Sequence, residues 1–465
     1  MNSLWQSIAP SGAAVTSEFH GRDASFVVAD LATHGILSSE LNSLLGRSVL
    51  IATKEQLPTA IALIELDGVA RRMVLCTPDL TAEQLAGVAA VAGADAIVMD
   101  DASALAAPPG LEVLRVAATP RPATRGLNVR DGRFQTEWIM LTSGTTGVPK
   151  LVLHTLETLG GALPRQPPSA GRVVWSTFYD IRRYGGLQIY LRAVLSGLPL
   201  VLSCTGEPTT EFLARAAARG VTHISGTPSH WRRALISGSA SLLQPDYVRL
   251  SGEIADQPVL DSLRAAFPTA RIGHAFASTE AGVAFDVNDG LAGFPASLMG
   301  ENPGQIAMKV EGGTLHIRSN RNAARYLGAA EHSLAGGDGY VDTGDLVELI
   351  DGRYYFRGRK GGIINVGGLK VYPEEVESVL NADPRVRMSL VRARRNPITG
   401  AIVVADVVAT DPAQLANDAA GAESLKADLL NACRRALPAH KIPAMLRFVP
   451  ALELTAAGKL VRPRA

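Results

Sequence analysis

The chain has 465 residues, 47% of them apolar and 19% charged, which supplies enough hydrophobic material for two or three cores and excludes general disorder. Lysine and arginine number 45 against 44 acidic residues, so no net field exists to hold nucleic acid or an anionic membrane surface. Cys76, Cys204 and Cys433 share no metal or redox spacing, no apolar run reaches the roughly 18 residues of a membrane span, and residues 1–14 lack the regions of a secretory signal; the expectation is a cytoplasmic protein.

In chain order, short apolar runs at 48–53, 72–77 and 96–99 alternate with helical patterns at 57–66 and 81–92, a βαβαβ rhythm that predicts a buried, mostly parallel sheet. Thr81 and Gln84 have the spacing of a capping box after the Pro78 turn. Runs at 172–176, 198–203 and 271–275 predict a second α/β layer. Beyond Glu311 the strands shorten and crowd, at 314–317, 346–350 and 353–356, which predicts an antiparallel, barrel-like cap on the large domain. After Gly358 a Pro373-led helix, strands at 387–392 and 401–408 and a helix at 424–436 form a new pattern. The expected fold is α/β: a large domain over 1–358 and a small, mobile α+β domain over 359–465.

The most specific local signal is Leu141-Thr142-Ser143-Gly144-Thr145-Thr146-Gly147-Val148-Pro149-Lys150. Its glycines admit backbone N–H groups to phosphate oxygens, its hydroxyls add donors, and Lys150 offers a compact charge. The Walker A spacing is absent. Four further strings follow in order: Phe276-Ala277-Ser278-Thr279-Glu280; Tyr340-Val341-Asp342-Thr343-Gly344-Asp345-Leu346; Gly358-Arg359 with Gly367-Gly368-Leu369-Lys370 after it; and Gly458-Lys459-Leu460-Val461-Arg462.

Together these resemble the motifs of the adenylate-forming superfamily, which holds acyl-CoA synthetases, peptide-synthetase adenylation domains and firefly luciferases; the resemblance spans roughly residues 45–465. It implies an AMP-forming ligase that uses ATP, Mg²⁺ and coenzyme A to convert a small carboxylic acid to an acyl-adenylate and then a thioester. By that resemblance Thr142 to Gly147 and Lys150 bind the phosphates. Ala275, Phe276, Ala277 and Ser278 line the adenine, Thr279 contacts the α-phosphate, Glu280 holds the metal, and Asp345 accepts the ribose hydroxyls. Arg359 serves the ribose or the hinge, Gly361 is the hinge, Gly367 and Gly368 border the thiol channel, and Lys459 is the catalytic cation.

Ser251-Gly252-Glu253 resembles the turn that lines adenine and the acyl group, a reading preferred over a simple strand-end turn. Phe178, Tyr179 and Asp180 fall where the superfamily places its acid pocket. Arg182 and Arg183 beside them either read a second anionic group or form a solvated face. His154 reads as a packed or capping histidine, and His223, His230 and His274 show no ligand spacing. Departures from the superfamily pattern are Gly361 at a hinge position that usually carries Asp or Lys, and Phe276 and Ala277 where Tyr and Gly are common. Alternatives to coenzyme A are an acyl carrier protein or an amine as acceptor. A luciferase-like oxygenase or a degenerate regulatory nucleotide binder also share the fold; the joint presence of Lys150, Glu280, Asp345 and Lys459 argues against the degenerate reading.

Overall fold

Aliphatic runs with no room for polar alternation build the centre of the molecule. Ser48–Ile51, Arg72–Leu75 and Ala96–Asp100 are buried almost throughout and pair in parallel. The helices between them are Gln56–Leu66 and Ala82–Ala92. The second starts as expected: the Thr81 side chain accepts from Gln84 N while Gln84 reaches back, and Gly93 closes the helix in the left-handed conformation. The structure, a computed structural model, describes residues 3–8, 17–37, 40–103, 105–117, 119–122, 133–142, 149–161, 163–164, 171–301, 306–328, 334–397, 399–411, 415, 418–455 and 458–462.

The first sheet has seven strands, ordered Arg325–Leu327, Lys150–His154, Glu137–Thr142, Arg72–Leu75, Ser48–Ile51, Ala96–Asp100, Glu112–Val116. It is parallel except where Lys150–His154 folds back on Glu137–Thr142 and carries Arg325–Leu327 at its edge. A second sheet of eight strands runs Gly282–Val287, Arg271–Ser278, Tyr247–Ser251, His223–Gly226, Trp175–Thr177, Leu200–Leu202, Glu18–His20, Ser25–Val27, parallel at its centre and antiparallel at both edges. Helix Gln56–Leu66 is buried on every face because it lies between the sheets. Its Ala60 carbonyl accepts from Tyr190 Oη at 2.7 Å, and Gln56 Nε2 donates to the Ser203 carbonyl at 2.6 Å. The largest core cluster accordingly draws on both sheets, with Val49, Met73 and Trp138 from one and Phe19, Trp175 and Leu200 from the other.

Five antiparallel strands, Phe294–Pro295, Arg353–Arg359, Val341–Ile350, Thr314–Arg318 and Ala307–Glu311, form the expected cap. The C-terminal unit has the hairpin Ile364–Val366 and Leu369–Val371, the sheet Val386–Asn396, Gly400–Ala409 and Met445–Phe448, and helices Pro373–Asn381 and Ala419–Ala436 around their own apolar cluster. Among the described residues no helix is long and apolar enough to cross a membrane.

Replacing Thr81 by Ala removes a side-chain acceptor from the first turn of helix Ala82–Ala92. A loss of about 1 kcal/mol is expected, read as a lowered urea midpoint.

Candidate active site

In an open parallel sheet, ligands bind beyond the carboxyl ends of the strands. At that edge Tyr247–Ser251 leads into Gly252, whose φ of +83° suits glycine. The turn is pinned by Tyr179, whose hydroxyl donates to the Ser251 carbonyl at 2.5 Å and lies 3.0 Å from Ser251 Oγ. In the next strand Ala275 pairs with Ser251, and the register slips between Phe276 and Ala277. Phe276 stacks on Phe356 at 5.2 Å and 11°. Ser278 Oγ accepts from Ala281 N at 2.9 Å.

The Thr279 carbonyl accepts from His154 Nε2 at 2.7 Å. A carbonyl can only accept, so Nε2 carries the hydrogen and Nδ1 faces Thr158 Oγ1 at 3.0 Å as acceptor. Burial pushes the His154 imidazole down to about 4, so it acts as a neutral strut between the strand after the phosphate loop and the Thr279–Glu280 segment. Glu280 Oε1 accepts from Tyr326 Oη at 3.2 Å, and Lys150 Nζ lies 5.1 Å from the Tyr326 ring centre. One aromatic side chain thus links the loop's lysine to the expected metal ligand. Ser143, Gly144, Thr145, Thr146 and Gly147 lie outside the described residues. Thr142 Oγ1, at the loop's threshold, is buried and has no hydrogen-bond partner among them.

Lys459 arrives from the far end of the chain on a tight turn. Thr455 N donates to the Lys459 carbonyl at 2.7 Å and Gly458 N to the Thr455 carbonyl at 2.8 Å. Two hydrogen bonds dock this turn on the large domain: Thr227 Oγ1 donates to the Gly458 carbonyl at 2.8 Å, and Leu460 N donates to Glu253 Oε1 at 3.1 Å. The other Glu253 oxygen accepts from Ser229 N, 3.0 Å away in the first turn of helix Pro228–Ile236. Gly458, at φ +69°, lies flat on His230, and a Cβ there would overlap Cε1 and Nε2 of the ring. His230 is itself fixed by stacking on Phe178 at 5.1 Å and by accepting from Thr227 N at 3.1 Å; burial drives its pKa down to about 3. So docked, Lys459 packs against the strand-end turn: a Cβ on Gly252 would sit 3.3 Å from Lys459 Cε and 3.7 Å from Nζ. Crowding by the surrounding protein pulls the ammonium below the usual lysine value, and Glu253 opposes that shift.

Asp345 and Arg359 are partners across adjacent strands, with Arg359 Nε donating to Asp345 Oδ1 at 3.0 Å. At Gly361, a Cβ would meet nothing within 4 Å among the described residues. Gly367 and Gly368, at φ +59° and +87°, form the two-residue turn of the hairpin Ile364–Val366 and Leu369–Val371, so turn geometry alone asks for glycine there.

The expected acid-pocket group is only partly gathered. Tyr179 faces the Ser251–Gly252 turn, but Phe178 is held among His230, Phe212 and Trp231. Asp180 turns inward to Arg182, which donates to its oxygens at 2.7 and 2.5 Å and to the Thr53 and Lys54 carbonyls. Burial alone would push the Asp180 carboxyl up, yet the Arg182 guanidinium holds it below the ordinary value. Arg182 is fully buried and Arg183 pairs with Asp79 at 2.7 Å, so neither arginine forms a freely solvated face, and burial, helped by the Arg183 charge, holds the Lys459 ammonium below its usual value. Thr227, Tyr326 and the strut role of His154 escaped the sequence reading, as did His230 as a docking surface. The Thr227-Pro228 start of a helix, with His230 three residues after the cap, was the available signal for the last.

Residues 54–327 match the AMP-binding enzyme family, and residues 375–459 match the AMP-binding enzyme C-terminal domain. The chain belongs to the AMP-binding enzyme family. Similar proteins include the 2-succinylbenzoate–CoA ligase of Geobacillus kaustophilus (strain HTA426), 29% identical over 70% of this chain and 67% of the relative. The fatty acid–[acyl-carrier-protein] ligase MmaC of Mycobacterium marinum (strain ATCC BAA-535 / M) is 27% identical over 74% of this chain and 70% of that protein. The anthranilate CoA ligase AuaEII in complex with anthranoyl-AMP shares the fold of this AMP-binding enzyme at a TM-score of 0.75 and 16% identity, over 98% of this chain and 95% of the other. So does the o-succinylbenzoate CoA synthetase of Bacillus subtilis in complex with OSB-AMP, at 0.70 and 18%, over 98% and 96%.

In this AMP-binding enzyme, replacing Glu253 by Gln leaves one acceptor oxygen for two N–H groups. Docking is expected to weaken by roughly 1 kcal/mol, below the full value of a buried charged hydrogen bond because Glu253 is half-exposed. Faster amide hydrogen exchange over residues 458–462, with helix Ala419–Ala436 unchanged, is the expected readout.

Proposed function

We propose that the chain is an AMP-forming carboxylic acid–thiol ligase: ATP and an acid give an acyl-adenylate and pyrophosphate, and coenzyme A then takes the acyl group with release of AMP. The observation that carries this reading is the docked Lys459, a cation brought against the Gly252 turn from 207 residues away in sequence by the Leu460–Glu253 bond and its neighbours.

A carboxylate attacking the α-phosphate approaches a polyanion, so the chemistry needs positioning and positive charge more than a base. Lys459 supplies charge where it grows on the α-phosphate oxygens. Lys150 and the loop before it take the leaving phosphates, Asp345 takes the ribose, and Phe276 offers its ring to the adenine. The Glu280 carboxylate fits magnesium. One of its oxygens accepts from Tyr326, and a hard cation carried by phosphates takes such a carboxylate oxygen as ligand. When bound, that ion would neutralise phosphate charge. His154 ties the Thr279 carbonyl, and hence the Glu280 backbone, to the strand Lys150–His154.

Thioester formation needs a path for a pantetheine arm where Lys459 now lies. Gly361, which no neighbour approaches, is the pivot about which the C-terminal unit withdraws the lysine and presents the Gly367–Gly368 turn.

Lys459→Ala should lower acid-dependent pyrophosphate release from ATP by about 10²–10³-fold, the scale of losing a charge-stabilising group, while sparing thioester formation from supplied acyl-adenylate. Equal loss in both half-reactions would exclude the assignment. Because the ammonium titrates below the usual 10.5, the cation is lost as pH rises. Pyrophosphate release should therefore fall on the alkaline side with an apparent pKa below 10.5, and Lys459→Arg should remove that limb from the pH–rate profile.

A further inference from the structure

Behind the Phe276–Glu280 wall lies a cavity of about 180 Å³. Val283, which pairs across strands with Ala277, forms one side. Thr158 and Tyr184 form another, and both touch His154, the residue that holds the Thr279 carbonyl. The cavity therefore adjoins the segment at which an acid's carboxylate meets the nucleotide, and it is where the rest of that acid has room.

Its charge is unusual for a space of this size. Three guanidiniums line it, from Arg192, Arg249 and Arg321, with the single carboxylate of Asp286. Arg249 is buried and spent on Asp286, with Nε and Nη2 both 2.9 Å from Oδ1. The other two have no carboxylate partner among the described residues. Arg192 rests on the Trp175 ring at 5.6 Å, and among the described residues the Arg321 guanidinium donates one hydrogen bond, to the Val283 carbonyl at 3.1 Å. Two unneutralised cations turned toward one small, partly enclosed space repel one another and lose hydration, so the arrangement lowers stability unless an anion joins them. Guanidinium forks match a carboxylate bidentately, which a lysine pair would not.

We propose that this cavity takes the body of the acid and that Arg192 and Arg321 bind a second carboxylate on it, so the substrate is a compact dicarboxylic acid. The volume sets the size. A cavity of about 150 Å³ accommodates benzene, so this one takes a single ring or a short branched chain and excludes a long fatty tail. The proposal rests on the reading of the chain as an acid-activating enzyme. It corrects the expectation from sequence by moving charge recognition from Arg182 and Arg183 to arginines on helix Tyr184–Leu195 and after strand Thr314–Arg318.

The test uses matched acids: benzoate against isophthalate and 2-(carboxymethyl)benzoate, and butyrate against glutarate. Acid-dependent ATP–pyrophosphate exchange is measured for the native chain, Arg192→Gln and Arg321→Gln, and calorimetry of the same acids is run without ATP. At least one diacid should exceed its monoacid by 10-fold or more in kcat/KM. Either substitution should lower the diacid-to-monoacid ratio by about 10–100-fold, the scale of a hydrogen bond to a charged group. A native preference for monoacids, or a ratio that neither substitution moves, overturns the proposal. Exchange without diacid preference removes this inference and keeps the ligase. Arginine-dependent diacid binding with no exchange keeps the pocket and removes the ligase, and absence of both exchange and diacid binding removes both.

Discussion

The structure depends on one contact between distant parts of the chain: the turn carrying Lys459 laid on Thr227, His230 and Glu253. The contacts of Tyr179 with Ser251 and of His154 with Thr279, though also between residues far apart in sequence, are made within the large α/β part of the chain. Those of the lysine are not. Its place depends on two hydrogen bonds and a flat contact between a glycine and a neutral imidazole, contacts that fit the proposed withdrawal of the lysine. Interactions of this kind are worth roughly 1 kcal/mol each, a scale that ligand binding readily matches in the proposed exchange of docked and undocked forms.

Much of the architecture was legible because its determinants are local. The buried runs at Ser48–Ile51 and Ala96–Asp100, the Thr81 capping box and the shortened strands after Glu311 each announce themselves within a few residues. The strings around Lys150, Glu280, Asp345 and Lys459 were legible for another reason, as a resemblance carried by order as well as by content. What was hidden involves partners far apart in sequence. Nothing near Asp180 says that Arg182 will turn inward to hold the carbonyls of Thr53 and Lys54. Nothing near His154 points to the Thr279 carbonyl, 125 residues away.

The arginines show the same division. Arg182 and Arg183 sit side by side in a region that the superfamily resemblance assigns to the substrate. Their neighbours in space commit them elsewhere, one to a buried ion pair and one to Asp79. Arg192 is inconspicuous within an apolar helix, and Arg321 within a polar turn, yet folding sets both on one small cavity. A charge in sequence carries information about recognition only after its local counter-charges have been subtracted.

The paired glycines at 361 and 362 have a mechanical consequence. Since no atom of the described residues would meet even a Cβ at either position, they offer the backbone there no steric notch in which to rest. A joint with a charged side chain can be latched at the joint. In the proposed motion about Gly361 the joint offers no side chain to latch, so the resting angles of the C-terminal unit would be decided at its far end, by whichever surface it last lay against.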